Sequence, residues 1–318
     1  MLRFVCGRLL DSAVVLAVMS FLIYLLIGLM PGDPIDLMAS GDPTITPEDV
    51  ARLKTIYGLD RPLHERYLAW LGDALSGQFG YSRLYAVPVL DVLLPRLGNT
   101  CLLMGASLAL ATALAIPAGI LAALRPRGWL DYGINLIAFA GISVPSFWLA
   151  LVLILLFSVE LGWLPASGTR SVGAGGPADR LLHLALPVVT LTLLTVGGLI
   201  RFVRASMLDV LRQDFIRTAR AKGLGVAGMV LRHALRNAML PVITLLALQF
   251  GALFSGALVV ETIFAYLGMG KLIYDSIMGN DFNVALVGLL FATLVTLLAN
   301  LAADLGYAWL DPRISYDR

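Results

Sequence analysis

Charge is scarce in this sequence: Asp, Glu, Lys and Arg make up 14% of 318 residues, against 59% hydrophobic. An ordinary soluble domain carries about 25% charged residues, so that class is excluded and lipid is the solvent for much of the chain. Cysteine is reduced to Cys6 and Cys101, in or beside different apolar stretches. They form no CxxC or metal-ligand spacing and read as small buried apolar residues. The three histidines, His64, His183 and His233, fall in three different loops, so their spacing supports neither a metal cluster nor a His-centred triad. Each reads as a local hydrogen-bonding or interfacial residue. No paired catalytic groups are visible. A phosphate-cradling loop is also missing: Gly270-Lys271 has Ala265 where a P-loop needs glycine and Leu272 where it needs Ser or Thr. The net charge is +2 and no basic block is interleaved with aromatics, which gives no sign of nucleic-acid binding.

What the sequence does have is long apolar runs. Six of them, near residues 9 to 30, 100 to 124, 133 to 159, 184 to 200, 240 to 260 and 284 to 304, are long enough to cross a hydrocarbon core. A crossing takes roughly 20 helical residues. The runs are continuous, whereas barrel strands alternate over about ten residues, so the expected fold is all-α with six transmembrane helices. An ion-coupled carrier needs ionisable groups at membrane depth. Asp11, Glu160, Glu261 and Asp304 sit near span ends, which leaves Asn135, Gln249, Ser255 and Asn300 as the notable polar side chains inside the spans and as candidates for a translocation path. The energy for transport is expected from outside the spans.

Lys and Arg set the orientation. Arg125 and Arg127 mark the short 125 to 131 loop as cytoplasmic, and eight cations, Arg201, Arg204, Arg212, Arg217, Arg220, Lys222, Arg232 and Arg236, mark the 201 to 239 loop. Both termini then face the cytoplasm. Residues 1 to 30 form a cytoplasmic tip and first span, read as a retained anchor because no clear cleavage site follows. Residues 31 to 98 form a periplasmic segment of interfacial helices. Thr46-Pro47-Glu48-Asp49 starts one helix and Gly58 stops it, and Asp60 through Gly77 repeats the pattern with Tyr67 and Trp70 on its apolar face. This segment reads as a packing collar in preference to a substrate contact. Residues 99 to 308 form the core with five spans, and 309 to 318 a cytoplasmic tail. Pro117, Pro145, Pro187 and Gly197-Gly198 are positions where helices can kink or approach closely.

The most informative stretch is Asp214-Phe215-Ile216-Arg217-Thr218-Ala219-Arg220-Ala221-Lys222-Gly223-Leu224. Residues 207 to 222 hold good helix formers, Gly223 and Gly225 interrupt, and 226 to 238 resume a helix that ends as Pro241 opens the fifth span. A short amphipathic helix of this kind can enter a groove on a partner, with Phe215, Ile216 and Ala219 as anchors and the basic side chains setting orientation. A bland alternative is that the cations obey the positive-inside rule and bind anionic lipid.

This stretch resembles the cytoplasmic EAA loop of the membrane subunits of binding-protein-dependent ABC importers, in the dipeptide, oligopeptide and nickel permease branch. Pro31-Gly32-Asp33-Pro34, Tyr57-Gly58-Leu59-Asp60, Ser206-Met207-Leu208 and Leu310-Asp311-Pro312-Arg313 extend the resemblance over essentially the entire chain. The wider superfamily pattern is Glu-Ala-Ala, three residues, Gly, nine residues, Ile-x-Leu-Pro. Anchored on Gly223, it puts Arg217, Thr218 and Ala219 at the Glu-Ala-Ala positions and His233 through Arg236 at the second cluster. The missing glutamate, isoleucine and proline match the peptide and nickel branch. The resemblance implies a type I importer core and a heteromeric complex: a second homologous permease, two cytoplasmic ABC ATPases that carry ATP and Mg, and a periplasmic solute-binding protein. It implies that this chain holds no cofactor and no metal, and that it sits in the bacterial inner membrane. A di- or oligopeptide is the expected substrate, nickel or glutathione the alternative. An ion-coupled secondary transporter is the reading from another class.

The cation asymmetry makes a topological prediction. Reporters fused after Arg125 and Arg220 read cytoplasm, and reporters fused after Asp73 and Ala174 read periplasm. A swap at any one site breaks the six-span arrangement.

Overall fold

The computed structural model describes residues 2–29, 46–56, 60–173 and 175–310. Pro31 to Pro34, Tyr57 to Leu59, Ala174 and the tail from Asp311 lie outside the described residues. The described chain is helical, with one isolated bridge between Tyr81 and Pro88. The helices are α1 (Leu2–Gly28), α2 (Pro47–Ile56), α3 (Leu63–Leu75), α4 (Val89–Leu124), α5 (Trp129–Ser143), α6 (Ser146–Leu153), α7 (Pro177–Leu211), α8 (Asp214–Ala221), α9 (Val226–Met229), α10 (Leu235–Ile263), α11 (Met269–Met278) and α12 (Phe282–Leu310). Two π-helical stretches, Ile154–Glu160 and Val230–Ala234, continue α6 and join α9 to α10.

Five helices are long and apolar enough to cross a membrane, and α5 with α6 makes a sixth if the bent pair counts as one span. The expected third span, 133 to 159, is therefore not one helix. It breaks between Ser143 and Ser146 with a bend of 101°. The cause is local: Pro145 has no N–H to continue the ladder and disfavours helical backbone at the residue before it, and Val144 is extended (φ −86°, ψ 128°). Pro117, Pro187 and Pro241 lie inside continuous helices. Of the positions expected to kink, Pro145 is where the chain turns.

The chain divides into two compact units, each built from separated stretches. One holds residues 9–97 and 272–294. In it Thr46 and Asp49 form a reciprocal cap on α2, Asp49 N–H donating to Thr46 Oγ1 (3.2 Å) and Thr46 N–H to Asp49 Oδ2 (3.0 Å). Thr46 Oγ1 also donates to Asp49 Oδ2 (2.6 Å), and this bond, with the one from Thr46 N–H, holds the Asp49 carboxyl below its usual range. α3 ends at Gly77 (φ +81°), where Gln78 N–H reaches back to the Asp73 carbonyl. Its Tyr67 and Trp70, expected at the membrane surface, turn to α1: Tyr67 meets Phe21 and Tyr24, and its hydroxyl pairs with Ser20 Oγ at 2.7 Å. A tight loop over 79–88 is held by Asp281, which is fully buried ahead of α12. Asp281 Oδ2 accepts from Ser82 Oγ (2.5 Å) and Leu84 N–H (3.1 Å), and Oδ1 accepts from Val284 N–H in the first turn of α12 (3.4 Å).

The other unit holds residues 1–8, 98–271 and 295–318. In it α5 lies close on α7. A Cβ on Gly197 would run into the Ala138 carbonyl, and one on Gly141 would come within 2.8 Å of the Leu193 carbonyl. Among lipid-embedded helices such close approach replaces the hydrophobic drive that water would supply. Cys6 is exposed and Cys101 half-buried, so neither is the buried apolar residue expected.

Gly197→Val places a side chain where backbone stands. It should destabilise the α5–α7 contact by about 1 to 3 kcal/mol or more. Gly198→Ala, which meets nothing within 4 Å, serves as the control. A thermal scan in detergent checks the pair, and equal midpoints would refute the close packing.

Candidate functional site

The stretch expected as one helix from 207 to 222 is two. α7 runs to Leu211, the chain turns at Arg212 and Gln213, and α8 begins at Asp214 from an extended Gln213 (φ −71°, ψ 151°). The last turn of α8 closes as the glycine allows. Gly223 sits at φ +80°, its N–H donates to the Arg220 carbonyl (3.0 Å), and Leu224 N–H donates to the Ala219 carbonyl (3.3 Å). That pair of bonds is the Schellman closure, for which a residue with a Cβ is strained. The α9–π–α10 rod then starts at Val226 and runs without interruption through Pro241.

The eight residues of α8 divide by face. Ile216 is 1% exposed and joins Val203, Met207, Met229, Val230 and Ala234 in one core cluster. Ala219 is also buried. Of the three anchors expected for a partner, then, two face the chain's own helices, and Phe215, 43% exposed, points away. Asp214, Arg217, Thr218, Arg220, Ala221 and Lys222 are exposed around it, and Leu224 is half-buried. Arg217 reaches Asp214 at 3.4 Å on an open surface, where such a pair contributes little. The face presented outward is one aromatic ring in a basic rim.

Behind this helix lies a node that spacing alone did not single out. Asp131, 3% exposed in the first turn of α5, takes both forks of Arg204 on α7: Nε to Oδ1 and Nη2 to Oδ2, each at 2.6 Å. Arg127 N–H adds a third bond (2.8 Å), and Asn135 Nδ2 donates to the same carboxylate and to the Asp131 carbonyl (2.7 Å each). Asn135 is thus spent on Asp131, which argues against its expected place on a path. The available signal was Arg204 itself. It belongs by charge to the cations of the 201 to 239 loop, yet it stands between Val203 and Met207 of an apolar stripe on α7.

The other path candidates have different surroundings. Gln249 lines a cleft of about 340 Å³ with Ile142, Leu191, Leu194, Thr195, Gly198 and Leu253. Asn300 Oδ1 comes within 4.0 Å of where a Cβ on Gly251 would stand. The side chain of Ser255 lies outside the described residues. Glu261, read as a span-end charge, is fully buried and accepts from Thr100 Oγ1 (2.5 Å) and Lys271 N–H (3.0 Å). Gly268 and Gly270 leave room for its carboxylate, since a Cβ on either would strike it. Burial pushes the neighbouring Tyr266 hydroxyl up to about 12, and the Glu261 charge adds to the shift.

The pattern of the binding-protein-dependent transport system inner membrane component matches residues 115–316, and that of its N-terminal counterpart matches residues 1–103. The chain belongs to this family. The permease is 41% identical to the oligopeptide transport system permease protein AppB of Bacillus subtilis (strain 168) over 318 residues, 99% of this chain and all of that one. It is 39% identical to the glutathione transport system permease protein GsiC of Escherichia coli (strain K12) over 316 residues, again 99% and 100%. A putative peptide permease protein of Brucella suis is 40% identical over 317 residues, 99% of each chain. In fold, the permease is similar to a chain of the MetNI methionine ABC transporter (TM-score 0.58, 17% identity, 70% of this chain and 97% of that one). It is also similar to a chain of an amino acid ABC transporter (TM-score 0.51, 13% identity, 69% and 94%). This permease component is thus a multi-pass inner-membrane transport subunit with the fold of ABC transporter permeases.

Gly223→Val puts a β-branched side chain at φ +80° and should unseat the end of α8, at a strain of about 1 to 3 kcal/mol. Limited proteolysis of the permease in membranes reads this out: cleavage after Arg220 or Lys222 should quicken in the variant and stay slow with Asn at the same position, since Asn tolerates this backbone. Equal rates for Val and Asn would remove the left-handed requirement.

Proposed function

We propose that this permease moves di- or oligopeptides, glutathione included, from periplasm to cytoplasm as one membrane subunit of an ATP-driven importer, and that α8 is where the ATPase acts on it. The carrying observation is the division of α8: Ile216 fixes the helix to the bundle while Phe215 stands out in a rim of Arg217, Arg220 and Lys222. A hot-spot aromatic within a basic ring fits a groove on a partner, and a short helix seated by one buried residue can pass on a push. Both termini face the cytoplasm in this reading, which puts α8 on the ATPase side. The peptide assignment follows the names of full-length relatives. The partners are a second permease, two ATPases that hold ATP and Mg, and a periplasmic binding protein that selects the substrate.

The lipid-anchoring alternative needs cations but no outward aromatic ring. Phe215→Ala separates the two. If Phe215 is a partner anchor, its truncation should cost about 1 to 3 kcal/mol of interface energy and cut uptake, with membrane abundance unchanged. The measurement is import of labelled trialanine and labelled glutathione into right-side-out vesicles holding the complete complex, with and without ATP in the lumen. Uptake driven by an ion gradient in the absence of ATP would overturn the importer reading. Normal ATP-driven uptake by Phe215→Ala would overturn the anchor.

A further inference from the structure

We propose that the Asp131–Arg204 pair is the joint through which a displacement of α8 reaches the broken α5–α6 pair, so that Asp131 and Arg204 are positioning residues for coupling ATP hydrolysis to transport. The proposal rests on α8 being the element the ATPase moves.

The mechanical chain is continuous on one unit. Ile216 of α8 packs in the cluster that contains Val203 and Met207, the residues of α7 that flank Arg204. A push on α8 therefore reaches the segment of α7 that carries the guanidinium. Arg204 grips α5 through a planar two-bond fork, and Arg127 and Asn135 fill the remaining positions around the carboxylate, so Asp131 has one orientation. Further along the same helix pair, Gly197 lies against Ala138 and Gly141 against Leu193, so the two backbones are in close contact. α7 and α5 thus move as one piece, pinned at one end by charge and along their length by backbone contact. That piece ends at Val144–Pro145, where the chain turns by 101°, and Ile142 just before the turn lines the cleft that holds Gln249. An ionic grip suits this place better than an apolar one. A forked pair resists rotation about the contact, whereas packed alkyl groups permit small slips.

The bland reading is that the pair only holds the fold together. Two variants and one ratio separate the readings. Arg204→Lys keeps the charge and the ion pair but reaches one carboxylate oxygen, and Asp131→Asn keeps the shape while removing the charge. Each is placed in the complete complex in proteoliposomes with labelled trialanine or glutathione, whichever the wild-type complex imports. The readout is substrate imported per ATP hydrolysed. A purely structural role lowers import and hydrolysis together, in proportion to surviving complex, and leaves the ratio alone. The proposal expects near-normal hydrolysis and a ratio down by about tenfold, the scale of one lost charge-assisted hydrogen bond. Phe215→Ala is run beside them. A lowered ratio in Arg204→Lys and Asp131→Asn supports the joint. An unchanged ratio in both, with uptake still lost in Phe215→Ala, overturns the joint and leaves α8 as the ATPase contact. Normal uptake and a normal ratio in all three overturn both.

Discussion

Lipid offers a backbone no hydrogen-bond partner and offers two apolar helices little reason to associate, and the architecture of this permease answers those two facts. Helices satisfy the first. The second is met by contacts that do not depend on expelling water: glycines that let α5 lie on the carbonyls of α7, and buried carboxylates that each collect several donors. Asp131, Glu261 and Asp281 share one design. Each is at most 3% exposed, each stands at a helix end or turn, and each binds elements distant in sequence. Removing a charge from water is unfavourable unless its partners are already in place, so these three also specify which elements meet.

The sequence was most legible where a single physical rule acts alone. Apolar run length located the long helices, and the Thr46 cap and the left-handed Gly77 and Gly223 appeared where turn chemistry put them. It was least legible where rules compete. Val144–Pro145 lies within a run apolar enough to read as one span, yet the local cost of proline outweighs continuity and the helix turns. Pro241 went the other way, since the helix had begun at Val226 and absorbed it. The exposed and inward faces of α8 could not be assigned from composition, because Phe215 and Ile216 are both apolar neighbours. Only the position of Val203 and Met207 decides which one is buried. The same holds for Arg204, whose role is set by a carboxylate 73 residues away.

The departure from the superfamily pattern also has a physical form. Where that pattern has glutamate, this permease has Arg217, exposed on α8 beside Asp214 and away from the cluster that seats the helix. The seating task falls to Ile216, one residue earlier, and to Ala219, whose small side chain lets the helix lie close. Anchor and surface are therefore separable, and the outward face can vary in charge while the fold of the loop stays as it is.

The wide turn at Val230–Ala234 has a consequence for register. There Leu235 N–H bonds the Val230 carbonyl, five residues back. Such a turn holds one residue more than an α-turn, and each residue of an α-helix rotates the chain by about 100°. The wide turn therefore absorbs one residue: the segment that leaves Gly225 and the helix from Leu235 onward keep the relative facing that an ordinary α-turn would give them. A relative with one residue fewer here would close an α-turn, keep an unbroken helix and present its preceding loop from the same side. A one-residue gap at this point of an alignment is therefore silent in the arrangement of the helix.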